Sequence, residues 1–224
     1  ANWYAFGRLA WNHTLTAEAI ADEWVRMTFT CDPEFVIPVK EMMLSSRDTA
    51  VDYMTPLGLH HIMAYNHHYG PGPWVAEGRA DWTSVYYHKA DGKGIGFDRT
   101  NSGSGAVNQY TEPVASLFAD ASACPENLLL WFHHLPWTHV MKSGRTLWEE
   151  LCYRYTHGVD AVTGMKGIWD NMCGFIDNRR HEDVSAFLAI QEKEARWWRD
   201  ACLLYFRSFS GLDFPEGIEE PNGT

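Results

Sequence analysis

Nine of the chain's 18 glycines, at 58, 70, 72, 78, 92, 94, 96, 103 and 105, fall between residues 55 and 110. That concentration excludes a long helix there, because each glycine inside a regular element costs roughly 0.5–1 kcal/mol relative to alanine. The same stretch is loaded with rings: LGLHHIMAYNHHYGPGPW at 57–74 and DWTSVYYHKADGKGIGFDRT at 81–100 follow neither helical nor strand periodicity. Only WTSVYYH at 82–88 reads as a strand, so the zone is expected to be long structured loops with a short hairpin or two. Loops of this length in a compact chain are functional or act as linkers, and the aromatic content argues against a linker. Flat rings offer apolar faces while imidazole, amide and guanidinium groups offer hydrogen bonds, which suits a polar ring-shaped ligand such as a sugar.

The flanks are helical in pattern. Thr16 can cap a helix that turns Ile20, Trp24 and Met27 inward, and Asp32-Pro33 is a second helix start. Pro38 places the main part of that second helix at or near residue 38, with Val39, Met42, Met43, Ala50 and Tyr53 on its inner face. Thr146-Leu147-Trp148-Glu149 matches a capping box. From there Leu147, Leu151, Tyr155, Val159, Val162, Ile168, Trp169 and Met172 keep one face to about residue 176, where Asp177-Asn178 breaks it. A last helix carries Val184, Phe187, Leu188, Ala195, Trp198, Cys202, Phe206 and Phe209. The expected fold is mainly α with long irregular loops and a few short strands (α+β), ending in two long antiparallel helices. As organisation we expect one domain: residues 1–54 helical, 55–110 loop-rich and facing a substrate, 111–211 helical, and 212–224 a frayed polar tail.

Composition excludes some functions. A formal charge of −11, from 29 acidic and 18 basic residues, repels a polyphosphate backbone, and no basic stripe interrupts it, so nucleic acid is not an expected partner. The longest apolar runs, such as LLLWF at 128–132, are too short to cross a bilayer. Cys31, Cys124, Cys152, Cys173 and Cys202 are odd in number and mostly set among apolar residues, as free thiols of a reducing, cytoplasmic compartment would be. Ala1 followed at once by NWYAF implies that the chain starts inside a longer polypeptide.

The pairs His60-His61, His67-His68 and His133-His134 invite a metal, yet neighbouring residues on one element point different ways and no HExxH or CxxC is present. No metal and no cofactor is expected. Gly92, Gly94 and Gly96 lack the third glycine of a phosphate-cradling GxGxxG, its place being held by Arg99, so a tight turn is expected, with Asp98 and Arg99 paired to each other or facing a cleft. No GxSxG supports a nucleophile. Glu77, Asp81, Asp91 and Asp98 are acidic loop residues that no spacing brings together. Trp74 stands apart: after Gly70-Pro71-Gly72-Pro73 a rigid backbone would hold one indole in a fixed pose, as core packing or as a stacking platform.

NWYAFGRLAWN at 2–12, PLGLHHIM at 56–63, HYGPGPW at 68–74, DWTSVYYH at 81–88, GIGFDRT at 94–100, LLLWFHHLPW at 128–137, MKSGRTLWEELCYRY at 141–155 and QEKEARWWRDACLLYF at 191–206 together resemble the C-terminal domain of glycoside hydrolase family 67 α-glucuronidases. The resemblance implies a multidomain enzyme of xylan breakdown that removes (4-O-methyl)-D-glucuronic acid, α-1,2-linked to xylose, from glucuronoxylan-derived oligosaccharides. It implies an N-terminal domain, a (β/α)8 barrel and this helical domain, packed around the barrel and aiding a homodimer. In that family the reaction inverts the anomeric centre with two carboxylates of the barrel, so no catalytic residue is expected in this chain, which alone should be inactive. Trp74 is expected to contact substrate, with His68, Tyr69 and Arg99 on the pocket rim. The resemblance gives no ground for handing the grip on the glucuronate carboxylate to Arg79 or Arg99. The alternative is a stand-alone carbohydrate-binding or helical interaction module without catalysis.

Overall fold

The computed structural model describes residues 1–65 and 70–222. The helices are α1 (Asn2–Trp11), α2 (Ala17–Thr28), α3 (Pro33–Met54), the short α4 (Ser84–His88), α5 (Val114–Ala119) and α6 (Leu129–Phe132), then the long α7 (Leu147–Asp170) and α8 (Asn178–Ser210). Two strands, β1 (Gly94–Ile95) and β2 (Leu135–Pro136), pair antiparallel with Gly94 opposite Pro136 and Ile95 opposite Leu135. A mainly helical fold with few short strands is therefore what the sequence encodes. The chain divides into two compact units, Ala1–Ala50 with Asp160–Lys193, and Val51–Val159 with Glu194–Thr224.

The first unit is built on aromatic packing. Thr16 caps α2, its hydroxyl accepting from the Ala19 N–H at 3.2 Å, and the Asp32 carboxylate accepts from Glu34 N–H at 2.9 Å to start α3. α3 begins in full at Pro33 and runs through Pro38. Pro38, the sixth residue of α3, has no N–H to offer the Glu34 carbonyl, and the helix continues through it with that one bond missing. Val25, Phe35, Val36, Val39, Met165, Trp169, Met172 and Leu188 form the core. Phe35 lies 6.1 Å from Trp169 and 5.4 Å from Phe29. The Trp169 indole N–H donates to the His181 carbonyl at 3.0 Å while the two rings stack at 10°, so a buried polar N–H is satisfied inside the packing.

Two inward assignments are corrected here. Met27 is 62% exposed and Val25 takes the buried place. Phe187 is 73% exposed, with Leu188 buried beside it. Each moves the buried stripe by one or two residues, within the arc that a 3.6-residue period leaves open. α7 also stops at Asp170, short of residue 176. Met172 still enters the core, from a turn after the helix, and so kept the apolar rhythm alive in the sequence.

In the second unit the capping box forms as written. The Glu149 carboxylate accepts from the Thr146 N–H at 2.7 Å and the Thr146 hydroxyl accepts from the Glu149 N–H at 3.3 Å. Leu147, Trp148, Leu151, Cys152, Tyr155 and Val159 are buried along α7, as are Trp198, Cys202 and Phe206 along α8. Gly158 lets α7 meet the end of α3: a Cβ there would stand 2.5 Å from the Tyr53 nitrogen. At the start of the tail expected to fray, Asp213 and Phe214 are held: the Trp148 indole donates to the Asp213 carbonyl at 2.8 Å and its ring packs 5.6 Å from Phe214. A further correction falls at 82–88. This run is a 3-10 turn over Ala80–Trp82 followed by α4, not a strand.

Candidate functional site

Trp74 is held on a braced loop of the second unit. Residues 62–64 and 70–72 form a short antiparallel contact: Ala64 N–H donates to Gly70 O at 3.2 Å and Gly72 N–H to Ile62 O at 3.3 Å. Two glycines make this possible. Gly70 has φ +61, and a Cβ there would lie 2.3 Å from the Trp197 ring, while a Cβ on Gly72 would lie 2.7 Å from the Ala64 Cα. Pro73 and Trp74 are the central residues of a turn closed by Val75 N–H to Gly72 O at 3.0 Å, with proline at the position its fixed φ favours. Pro71, Gly72 and Pro73 are buried, yet Trp74 is 50% exposed. Its ring meets Tyr205 of α8 edge-on, 6.4 Å between centroids.

The residue that fixes this turn from below is His88, the last of α4. Its Nε2 lies 2.8 Å from the Pro73 carbonyl, and its Nδ1 lies 2.9 Å from the Ala90 nitrogen. A carbonyl can only accept and a backbone N–H can only donate, so the ring is the neutral tautomer with hydrogen on Nε2. Burial, with 1% of the residue exposed, lowers the imidazole pKa to about 4, outweighing the bond to Pro73. Tyr205 and Phe206 pack edge-on against the ring at 5.7 and 5.3 Å.

The preceding residue on α4, Tyr87, belongs to a second cluster. It stacks at 18° on Trp131, 6.1 Å away, and His60 meets both rings edge-on. Arg99 lies within this cluster, its guanidinium carbon 3.7 Å from the Trp131 ring centre and 4.1 Å from that of Phe97. Arg99 does not pair with Asp98. The Asp98 carboxylate accepts from the Thr100 N–H and hydroxyl at 2.9 and 2.7 Å and from the Ser102 hydroxyl at 2.8 Å. Burial raises the Asp98 pKa, but those bonds outweigh it and hold the group below its ordinary range.

His68 and Tyr69, expected on the rim, lie outside the described residues, as does His67. The glycines of GKGIG serve close approach: a Cβ at Gly94 would stand 2.0 Å from the Leu135 carbonyl oxygen, and one at Gly96 2.1 Å from that of His133. Among the described residues no three His, Cys, Asp or Glu side chains are placed to hold a metal. Asp81 pairs with Arg79 at 2.6 Å, and Asp91 accepts from the Lys93 and Gly94 N–H groups at 2.7 and 3.0 Å. The carboxyls of Glu18, Asp22, Glu23, Asp91, Asp98, Asp120, Glu149, Glu150 and Asp177 all have pKa values held below the ordinary range. None of those groups is poised as a general acid.

The supporting residues His88, Tyr205, Tyr87 and Trp131 were not assigned roles from the sequence. Tyr205 reaches Trp74 from 131 positions further along the chain, and His88 and Tyr87 are adjacent on a segment that reads as a strand.

Comparison with known proteins agrees with the resemblance drawn from the motifs. Residues 1–219 match the family model described as glycosyl hydrolase family 67 C-terminus. The chain is 34% identical over 217 residues to alpha-glucuronidase A of Aspergillus tubingensis, covering 95% of this chain and 25% of that protein. Alpha-glucuronidase A of Emericella nidulans is 34% identical over 216 residues, with the same coverages. Probable alpha-glucuronidase A of Aspergillus niger is 33% identical over 217 residues. The chain spans about a quarter of the length of these curated relatives.

Proposed function

Because this chain belongs to the glycosyl hydrolase family 67 C-terminal domains, we propose that it works as the C-terminal domain of an inverting α-glucuronidase. The whole enzyme removes (4-O-methyl)-D-glucuronic acid, α-1,2-linked to xylose, from xylo-oligosaccharides. This domain supplies one wall of a pocket that a (β/α)8 barrel completes, and it aids dimerisation.

The observation that carries this reading is Trp74, a half-exposed indole that follows the buried residues Pro71, Gly72 and Pro73 on a hydrogen-bonded turn. A ring carried on a backbone fixed in this way can meet the apolar face of a sugar at little cost in backbone freedom. Trp74 therefore lines the pocket, with Arg99 as the next described candidate and His68 and Tyr69 on the rim. The proton-transferring carboxylates of an inverting enzyme, roughly 6.5–9.5 Å apart, belong to the barrel in this reading, in keeping with the downward pKa shifts here. Five free cysteines suit a cytoplasmic location.

A second surface favours contact with protein. α1 buries none of its residues and leaves Trp3 and Trp11 each 88% exposed, an aromatic face suited to the barrel or a second subunit.

Assay of glucuronic acid release from aldouronic oligosaccharides tests the proposal. The full-length enzyme is expected to release it and the 224-residue chain alone to release none. Turnover by the chain alone, or a full-length enzyme inert toward these substrates, contradicts it.

A further inference from the structure

α1 turns its large side chains away from the unit it belongs to. Trp3, Phe6 and Trp11 are 88, 69 and 88% exposed, and Trp3 meets Phe6 edge-on with 6.4 Å between centroids. Ala5 and Leu9, in contrast, line a cavity of about 240 Å³ that α1 shares with Ile20 and Trp24 of α2 and Met43 of α3. Arg8, the one charged residue of α1, is already paired with Glu23 of α2 at 2.8 Å. A surface helix needs one apolar stripe, whereas a helix apolar on both sides is built to be buried on both. α1 is covered on one side, over a void, and none of its residues is buried.

Two indoles and a phenyl ring exposed on so short a helix form the kind of apolar patch that marks a contact. The chain's place in a longer protein points to what covers it. The chain spans about a quarter of the length of its curated relatives and matches the family's C-terminus. Polypeptide preceding it would enter at Ala1, which also lines the cavity. Tethered there, that polypeptide meets α1 at an effective concentration on the order of millimolar, which a second copy does not reach in dilute solution.

We propose that α1 is a helix shared between two domains: polypeptide preceding Ala1 covers Trp3, Phe6 and Trp11 and places an apolar side chain in the cavity beside Ala5 and Leu9. This deepens the proposed function by naming the partner of this face as the same chain and not a second subunit, and it rests on that reading for the existence of a preceding domain.

Photocrosslinking in the full-length protein tests it, with Trp3→p-benzoylphenylalanine as the probe and circular dichroism to check that the variant folds. Irradiation is expected to give an internal crosslink, at the mass of one chain, to a peptide preceding Ala1. A crosslinked pair of chains, a crosslink confined to residues 1–224, or no crosslink in the folded variant overturns the proposal. Hydroxyl-radical oxidation of the wild type gives a reading that no substitution can disturb. Trp3 and Trp11 are expected to oxidise as slowly as the buried Trp148 in the full-length protein, and oxidation at the rate seen in the denatured protein overturns the coverage. Ala5→Leu tests the cavity, because it fills a void in the 224-residue chain but overpacks an occupied site in the full-length protein. The thermal midpoint is expected to hold or rise in the first and to fall in the second; no fall in the second overturns the cavity half. An active enzyme whose Trp3 and Trp11 oxidise at the denatured rate overturns this inference alone. Covered tryptophans in a protein that releases no glucuronic acid overturn the proposed function and leave this inference standing.

Discussion

His88 shows what holds the candidate site together at the scale of one residue. Its two nitrogens tie α4 to the Pro73-Trp74 turn on one side and to Ala90 on the other. The ring is kept neutral by burial, with a pKa of about 4 against 6.5 in the unfolded chain. Above pH 6.5 both forms are neutral. As pH falls below that, the unfolded chain takes up a proton that the folded ring refuses until about pH 4, so stability declines across that window by about 3 kcal/mol. Denaturant titrations of wild type and His88→Phe between pH 7 and 4 should show that decline in the wild type and its loss in the variant. Parallel curves would contradict the assignment. Trp74 itself was legible in the sequence, because Gly and Pro punctuate a turn locally. Its supports were not, because a contact with Tyr205 depends on how α8 packs, which no local pattern states.

At the scale of elements, what the sequence declares locally is what it declares reliably. The capping box at Thr146 and Glu149 is four residues long and forms as read. Thr146→Ala should cost about 1 kcal/mol in chemical denaturation, and no change would mean that packing alone starts α7. The run at 82–88 misleads for the converse reason: Thr, Val and two tyrosines favour strands, but Val85 N–H bonds to Val75 O and Ser84 to Met63 O, and no partner strand is offered. Periodicity likewise overran the end of α7, because a turn can also deliver Met172 to a core.

Glycines within α7 separate two kinds of position that a sequence cannot tell apart. Gly158 abuts the Tyr53 backbone, whereas nothing lies within 4 Å of a Cβ at Gly164. Gly158→Ala should therefore destabilise by more than about 1 kcal/mol, and Gly164→Ala should stabilise by roughly 0.5–1 kcal/mol. Thermal midpoints moving in the same direction would contradict the close approach at Gly158.

For the whole molecule, the motifs carry the family, and the net charge of −11 argues against a polyphosphate partner; the remainder of the proposed pocket is assigned to a barrel outside these residues. A span of about a quarter of its relatives' length fits a domain whose exposed rings, Trp74 above all, acquire meaning against another surface. The division of labour proposed here gives proton transfer to the barrel and ring contact to this domain, so Trp74 should matter to turnover and not to folding. The most direct test is kcat/KM of the full-length enzyme on an aldouronic oligosaccharide, measured for wild type and Trp74→Ala alongside their thermal midpoints. The account predicts a fall of at least about tenfold, or about 1.4 kcal/mol of transition-state stabilisation, with the midpoint unchanged. Equal kcat/KM in the two proteins would contradict it.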